Sequence, residues 1–240
     1  MFFEFERHFD VADYNHKGLL RTDSILKIFQ EAAINHSANI GYSTQSYMGS
    51  GNIWMHNKNL FKADVLPNFR QKLKIKTWSR GIEKFKGFRN YEIYADGEKC
   101  VTGSSVWIYL NIEKRRPVRP SQEMVDNYDS EDVPVFSDRV KKINIQQPSA
   151  DADEVVIKIR PSDFDVNGHV SNVTYGQYFE TVLSDYDFDV TGKYFSIAYQ
   201  SEIKTSAKEV AVRYEKIDSA YRLGVYSDGV CNCIGEVSYE

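Results

Sequence analysis

The stretch whose reading decides the fold is "DFDVNGHVSNVTYGQYFE", residues 163–180. Asp163, Asp165, Asn167, Gly168 and apolar Val170 imitate the opening of a calcium loop. An EF-hand needs a bidentate glutamate at position 12 and a helix on both sides. Thr174 stands at that position here, and the preceding "VVIKIRP" (155–161) reads as a strand. The Asp, Asn and Gly residues therefore build a turn. Tyr178, Phe179, Val182, Leu183 and Tyr186 recur at helical spacing beyond it, which predicts a helix over 171–186 with Ser171 or Asn172 as N-cap.

The same turn and helix occur earlier. "DYNHKGLLRTDSILKIFQ" (13–30) aligns without gaps, so that Asp13 meets Asp163, Tyr14 meets Phe164, Gly18 meets Gly168, Ile28 meets Tyr178 and Phe29 meets Phe179. Ile25, Ile28, Phe29, Ala32 and Ala33 mark the first helix, and Gly41 suits its stop. A strand ending in an Asp-Gly hairpin signal also appears twice, as "YADG" (94–97) and "YSDG" (226–229). Two matches in one order point to an internal duplication. The strands follow each helix: "KLKIKTW" (72–78) and 88–110 in the first copy, and 194–204, 209–217 and 221–239 in the second. The expected fold is α+β, with one helix per repeat wrapped by an antiparallel sheet and the two sheets joined edge to edge. The repeats occupy 1–130 and 151–240, with 131–150 as linker inside the proline-rich, acidic stretch 117–150.

Composition narrows the function. The chain has 240 residues, 42% hydrophobic and 14% aromatic, with net charge −4. That length supports a substantial core, and the absence of a basic excess argues against a nucleic-acid partner. No apolar run reaches the ~18 residues of a membrane helix. The start, "MFFEFERHFD", does not read as a signal peptide, and three cysteines, which cannot all pair within one chain, lead to the expectation of a reducing cytoplasm. Three cysteines read as reduced structural thiols, with Cys231 and Cys233 on one face of a strand. No metal site and no cofactor are expected.

The two copies differ where chemistry would sit. The first has Asn15, Lys17 and Leu19 where the second has Asp165, Asn167 and His169. It keeps the turn and lacks the Asp/Asn/His set. These residues are either a solvated turn or a reactive constellation just before a helix N-terminus, where unpaired N–H groups favour an oxyanion.

The second-copy stretch resembles the D-x-N-x-H-V-x-N segment of acyl-acyl carrier protein thioesterases. "GSSVWIYLNIEKRRPVRPSQEM" (103–124) is similar to that family's strand and arginine-rich tail, and "YFSIAYQSEIKTS" (194–206) to its later strand with Tyr199 and Glu202. The likeness runs over nearly the whole chain. It implies a tandem (double) hotdog fold and hydrolysis of fatty acyl-acyl carrier protein to free fatty acid. Carried over by position, the catalytic set is Asp165, Asn167, His169 and Glu202. Two departures stand out. Ile203 replaces the cysteine often found after the glutamate, and the start does not read as the transit peptide of the plant members, so a bacterial form is expected. Strand alternation alone puts Glu202 on a face with Gln200 and Lys204, so only the resemblance selects it.

On that reading Glu202, helped by His169, activates water, Asp165 orients His169, and Asn167 with helix N–H groups holds the oxyanion. Carboxylate attack through a mixed anhydride stays open. Ile25, Phe29 and Trp54 are candidates to line an acyl slot in the first repeat, with plain core as the alternative. Lys114, Arg115, Arg116 and Arg119, or Lys84, Lys86 and Arg89, are candidates to dock the acidic carrier. The rival functions are an acyl-CoA thioesterase, a hotdog dehydratase and a non-catalytic acyl-thioester-binding protein. Chain length is not legible, and a homodimer is left open.

Overall fold

The computed structural model describes residues 1–8, 11–136, 140, 143–184 and 188–239. In chain order the elements are β1 (Phe2–Arg7), α1 (Thr22–Asn39), α2 (Thr44–Ser50), β2 (Asn52–Ala63), β3 (Leu73–Glu83), β4 (Lys86–Ala95), β5 (Glu98–Asn111), β6 (Arg116–Pro117) and α3 (Gln122–Asn127). The second half has β7 (Asp153–Lys158), α4 (Thr174–Leu183), β8 (Tyr194–Tyr199), β9 (Glu209–Ile217), β10 (Ala220–Ser227) and β11 (Val230–Ser238).

The strands form one eleven-stranded sheet in the order β1-β3-β4-β5-β2-β8-β11-β10-β9-β7, with β6 paired to β5. Read inward from either end, the order is the same, so the duplication seen in sequence is a duplication of topology. The halves join where β2 pairs antiparallel with β8, Lys58 opposite Ala198 and Lys62 opposite Tyr194. Each half would otherwise expose an unpaired edge there. The Asp-Gly signals are hairpin turns, with positive φ at Asp96, Gly97, Asp228 and Gly229.

Each helix lies on the sheet through one phenylalanine. Phe29 and Phe179 are both fully buried. A Cβ on Gly103 would fall 2.2 Å from the Phe29 ring, and one on Gly235 would fall 2.5 Å from the Phe179 ring. Only glycine lets these rings approach the strand so closely. Each buried phenylalanine contributes roughly 1.5–3 kcal/mol of apolar burial. This is the doubled, helix-wrapped sheet that the resemblance implied.

The helices also tie to each other. Leu26 packs on Gly176. Arg21, the N-cap of α1, offers no side-chain cap. Glu180 of α4 supplies one, its Oε1 accepting the Thr22 amide at 2.6 Å.

Described residues of the stretch 131–150 pack against the sheet. Trp78 Nε1 and Asn90 Nδ2 both donate to the Val133 carbonyl, at 3.0 and 2.9 Å. Phe136 and Val140 cover Leu60, Phe88 and Val106, while Ile145 covers Ala198 and Ile234. Among the described residues, no helix is long and apolar enough to cross a membrane.

Three expectations need correction. The second helix starts at Thr174, with Val173 as its N-cap, because Ser171–Val173 form a turn whose Ser171 carbonyl takes the Thr174 amide at 2.9 Å. Tyr186 lies outside the described residues. The strand expected over 194–204 stops at Tyr199. Finally, Cys231 and Cys233 do not share a face. Their pairing to β10 skips Asn232, so a bulge turns Cys233 into the core and Cys231 toward Ile145 and Ile234.

Candidate active site

The site grows from the duplicated turn. Asp163 is buried and receives Arg160 Nε at 2.9 Å and the Tyr178 hydroxyl at 3.0 Å. Its counterpart Asp13 receives Lys27 Nζ at 3.1 Å. Each aspartate thus fastens the turn to its own helix. Gly18 and Gly168 share φ +73°, a left-handed conformation that glycine adopts without cost.

Asp165 has a backbone task. Its Oδ1 accepts the Asn167 and His169 amides at 2.8 and 3.4 Å, and its Oδ2 accepts Asn167 Nδ2 at 3.3 Å. Asn15 does the same in the first copy, its Oδ1 accepting the Lys17 and Leu19 amides at 2.9 and 3.1 Å. The Asp165 carboxylate is therefore turned to the loop backbone and Asn167, not to the His169 ring that it was expected to orient.

His169 and Glu202 meet across the loop. The imidazole Nε2 lies 3.4 Å from Glu202 Oε2, with both side chains about one-third exposed (33% and 38%). Two features bring Glu202 there. The Val170 amide bonds the Ile203 carbonyl at 2.9 Å, fixing the register between loop and strand end. At the β11 bulge, the Asn232 carbonyl catches the Gln200 and Ser201 amides at 2.8 and 3.2 Å, and Asn232 Nδ2 donates to Ser201 Oγ at 3.0 Å. That ends β8 and swings the chain toward His169. Tyr199 clamps the floor by donating its hydroxyl to the Asn172 carbonyl at 3.1 Å. Burial pushes the Tyr199 hydroxyl well up from its ordinary pKa, so it stays a donor.

The first copy holds the same backbone with different chemistry. There the Leu20 amide bonds the Pro67 carbonyl at 2.8 Å, and Leu19 bridges Asn68 as His169 bridges Lys204. The register puts Leu19 in the place of His169 and Leu66 in the place of Glu202. Sequence comparison found the first substitution. The second was hidden, because the spacing between turn and strand end differs between the copies.

Arg115 joins this pair. Its Nη2 donates to Glu202 Oε2 at 3.0 Å, from a side chain 70% exposed. It was a candidate for carrier docking; the structure seats it on the carboxylate. Arg116 and Arg119 are exposed nearby in sequence. Arg89 is not a docking residue. It is buried, 5% exposed, and its Nη1 donates to His36 Nδ1 at 2.7 Å.

The three acyl-slot candidates are not brought together. Ile25 and Phe29 are fully buried in the central core, where Phe29 stacks on Tyr91 at 4.2 Å. Trp54 packs in a separate cluster with Tyr109, Met124 and Tyr128. Among the described residues, no group of three or more His, Cys, Asp and Glu side chains could hold a metal ion.

A helix-wrapped double hotdog in which one copy of the loop brings His169 to Glu202, and the other holds Leu19 and Leu66 at the matching register, defines a class of protein. Residues 3–128 match the family model of the acyl-ACP thioesterase N-terminal domain, more than half of the chain. The chain belongs to the acyl-ACP thioesterase family. An acyl-[acyl-carrier-protein] hydrolase of Cuphea viscosissima is 28% identical over 186 residues, 71% of this chain and 45% of that protein. Oleoyl-acyl carrier protein thioesterase 2 of Arabidopsis thaliana is 27% identical over 192 residues, 72% of this chain and 52% of that one. The chain spans about half the length of these relatives. Two solved structures share the fold. An acyl-ACP thioesterase from Bacteroides thetaiotaomicron superposes with TM-score 0.84 at 20% identity, covering 100% of this chain and 98% of that one. The 12:0-ACP thioesterase from Umbellularia californica gives 0.82 at 18% identity, covering 99% and 96%.

Proposed function

We propose that this chain hydrolyses the thioester between a fatty acyl group and the phosphopantetheine arm of acyl carrier protein, releasing free fatty acid and ending chain elongation. One observation carries the reading. Two copies of one loop share a backbone, and only the second carries an acid–base pair, His169 and Glu202 at 3.4 Å. The first fills the same register with Leu19 and Leu66. The free thiols of Cys100, Cys231 and Cys233 fit a reducing cytoplasm.

Glu202, with His169 beside it, takes a proton from water as the water oxygen bonds to the thioester carbon. The carbonyl electrons move to oxygen, and collapse of that oxyanion breaks the carbon–sulfur bond. The leaving thiolate takes the proton from the pair. A positioned base supplies roughly 10²–10⁴ in rate. The Asn167 side chain, through the Nδ2 hydrogen not turned to Asp165, and the N–H groups of Asn172 and Val173, in the turn between His169 and α4, are the candidate oxyanion donors, each worth roughly 10²–10³. Asp165 supports the loop that presents Asn167 and His169. The second repeat (151–240) holds this set, and the first (1–130) is assigned the acyl chain.

The test is to incubate the protein with a panel of acyl-carrier thioesters and acyl-CoAs and identify products by mass spectrometry. Free acid, formed faster from the carrier, supports the reading. An enoyl thioester, bound but unchanged substrate, or preference for CoA would each displace it. Alanine at Asp165, Asn167, His169 and Glu202 in turn tests the set; wild-type rates in all four folded variants would remove it.

A further inference from the structure

We propose that Arg115 is a latch on Glu202 that the substrate's own phosphate releases. The inference rests on Glu202 being the base, and it adds how that base is freed. Three observations carry it. Arg115 Nη2 sits 3.0 Å from Glu202 Oε2, and His169 Nε2 lies 3.4 Å from that same oxygen. The oxygen best placed to share a proton with His169 is thus already occupied by a guanidinium. The Arg115 backbone is fixed: it holds φ +48° in the turn between β5 and β6, and Asn111 Oδ1 accepts the neighbouring Lys114 amide at 2.9 Å. Its side chain, by contrast, is 70% exposed and free to turn outward.

Exposed ion pairs are weak, so holding Glu202 this way slows an unlatched reaction by no more than about fivefold. Arginine binds phosphate through two parallel N–H donors, more strongly than it binds one carboxylate oxygen. The phosphopantetheine arm carries a phosphodiester. As it enters, the guanidinium moves from Glu202 to that phosphodiester, which anchors the arm and frees Oε2 for water. Arg115 comes from the first repeat and Glu202 from the second, so the latch also couples the halves.

The experiment compares acyl-carrier protein with the matching acyl-N-acetylcysteamine thioester, which has no phosphate. Arg115→Ala lowers kcat/KM on the carrier substrate about tenfold, through KM. On the phosphate-free thioester it raises kcat/KM, by up to about fivefold. Arg115→Lys recovers part of the carrier rate. Equal loss on both substrates, or no change on either, overturns the latch. Glu202→Gln is the separate control: if hydrolysis of both substrates survives it, the base assignment fails. If it abolishes both while Arg115→Ala treats the two substrates alike, the latch alone fails.

Discussion

The first repeat supplies a template for disarming the second. Replacing His169 and Glu202 together by leucine gives the second loop the residues that Leu19 and Leu66 already place on the same backbone. The stability change follows from two opposing terms. The pair being removed is 33% and 38% exposed, so its loss costs at most about 1 kcal/mol. Leu66 is 8% exposed, and a leucine at 202 reaching similar burial would contribute up to about 1.5–3 kcal/mol. The balance lies between a loss of about 1 kcal/mol and a gain of about 3. For a chain of this size each kcal/mol moves Tm by about 2–4 °C, so the double variant melts no more than about 4 °C below the parent. Hydrolysis falls by at least about 10², the contribution of a positioned base. Calorimetry reads the first quantity and product formation the second. A folded variant that keeps activity within about tenfold would refute the role of the pair. A variant that fails to fold would show that the pair is structural and that the copies are not interchangeable.

Three further outcomes are expected. Asp165→Asn keeps the loop, because Asn15 makes the same two amide contacts in the first copy, and its Tm falls by less than about 3 °C; Asp165→Ala, which removes all three contacts, falls further, and a reversed order would refute the scaffold role. Gly103→Ala and Gly235→Ala each force a phenylalanine off the sheet and cost about 1–3 kcal/mol in urea unfolding, and a neutral result at both would show that the rings yield freely. Stability falls on mild acidification. Burial pushes His36 and His56 down to about 3, with Arg89 adding to the effect at His36, whereas in the unfolded chain both take protons below about pH 6.5. The unfolded state therefore binds more protons between those values, and stability present above pH 6.5 is lost at up to about 1.4 kcal/mol per pH unit for each histidine. Urea unfolding at pH 5, 6 and 7 tests this, and equal stability at all three would refute it.

Much of this was legible because it repeats. Two aligned turns, two helical stripes and two Asp-Gly hairpins gave the topology, since period and turn chemistry are local properties of the chain. The site was half legible. Asp165, Asn167 and His169 stood out against Asn15, Lys17 and Leu19, yet the structure turns Asp165 to the loop backbone, a role its asparagine twin also fills. Glu202 carried no periodic signal, because β8 stops at Tyr199 before reaching it. What stops the strand is Asn232 on a neighbouring strand, and that bulge also turns Cys231 away from the face of Cys233. Arg115 reaches Glu202 across 87 residues, a pairing that no local pattern encodes. Trp54 and Phe29 both read as apolar candidates for one slot, but sequence periodicity does not say which cluster a side chain joins.

The junction between β2 and β8 makes the two repeats behave as a dimer written on one chain. In a pair of identical subunits related by a two-fold axis, every substitution appears twice, so a site cannot be lost on one side and kept on the other. Here the two loops are separate positions of one gene. Leu19 and Leu66 can stand in one half while His169 and Glu202 stand at the matching register of the other. Each half can then change its loop and its interior independently of the other.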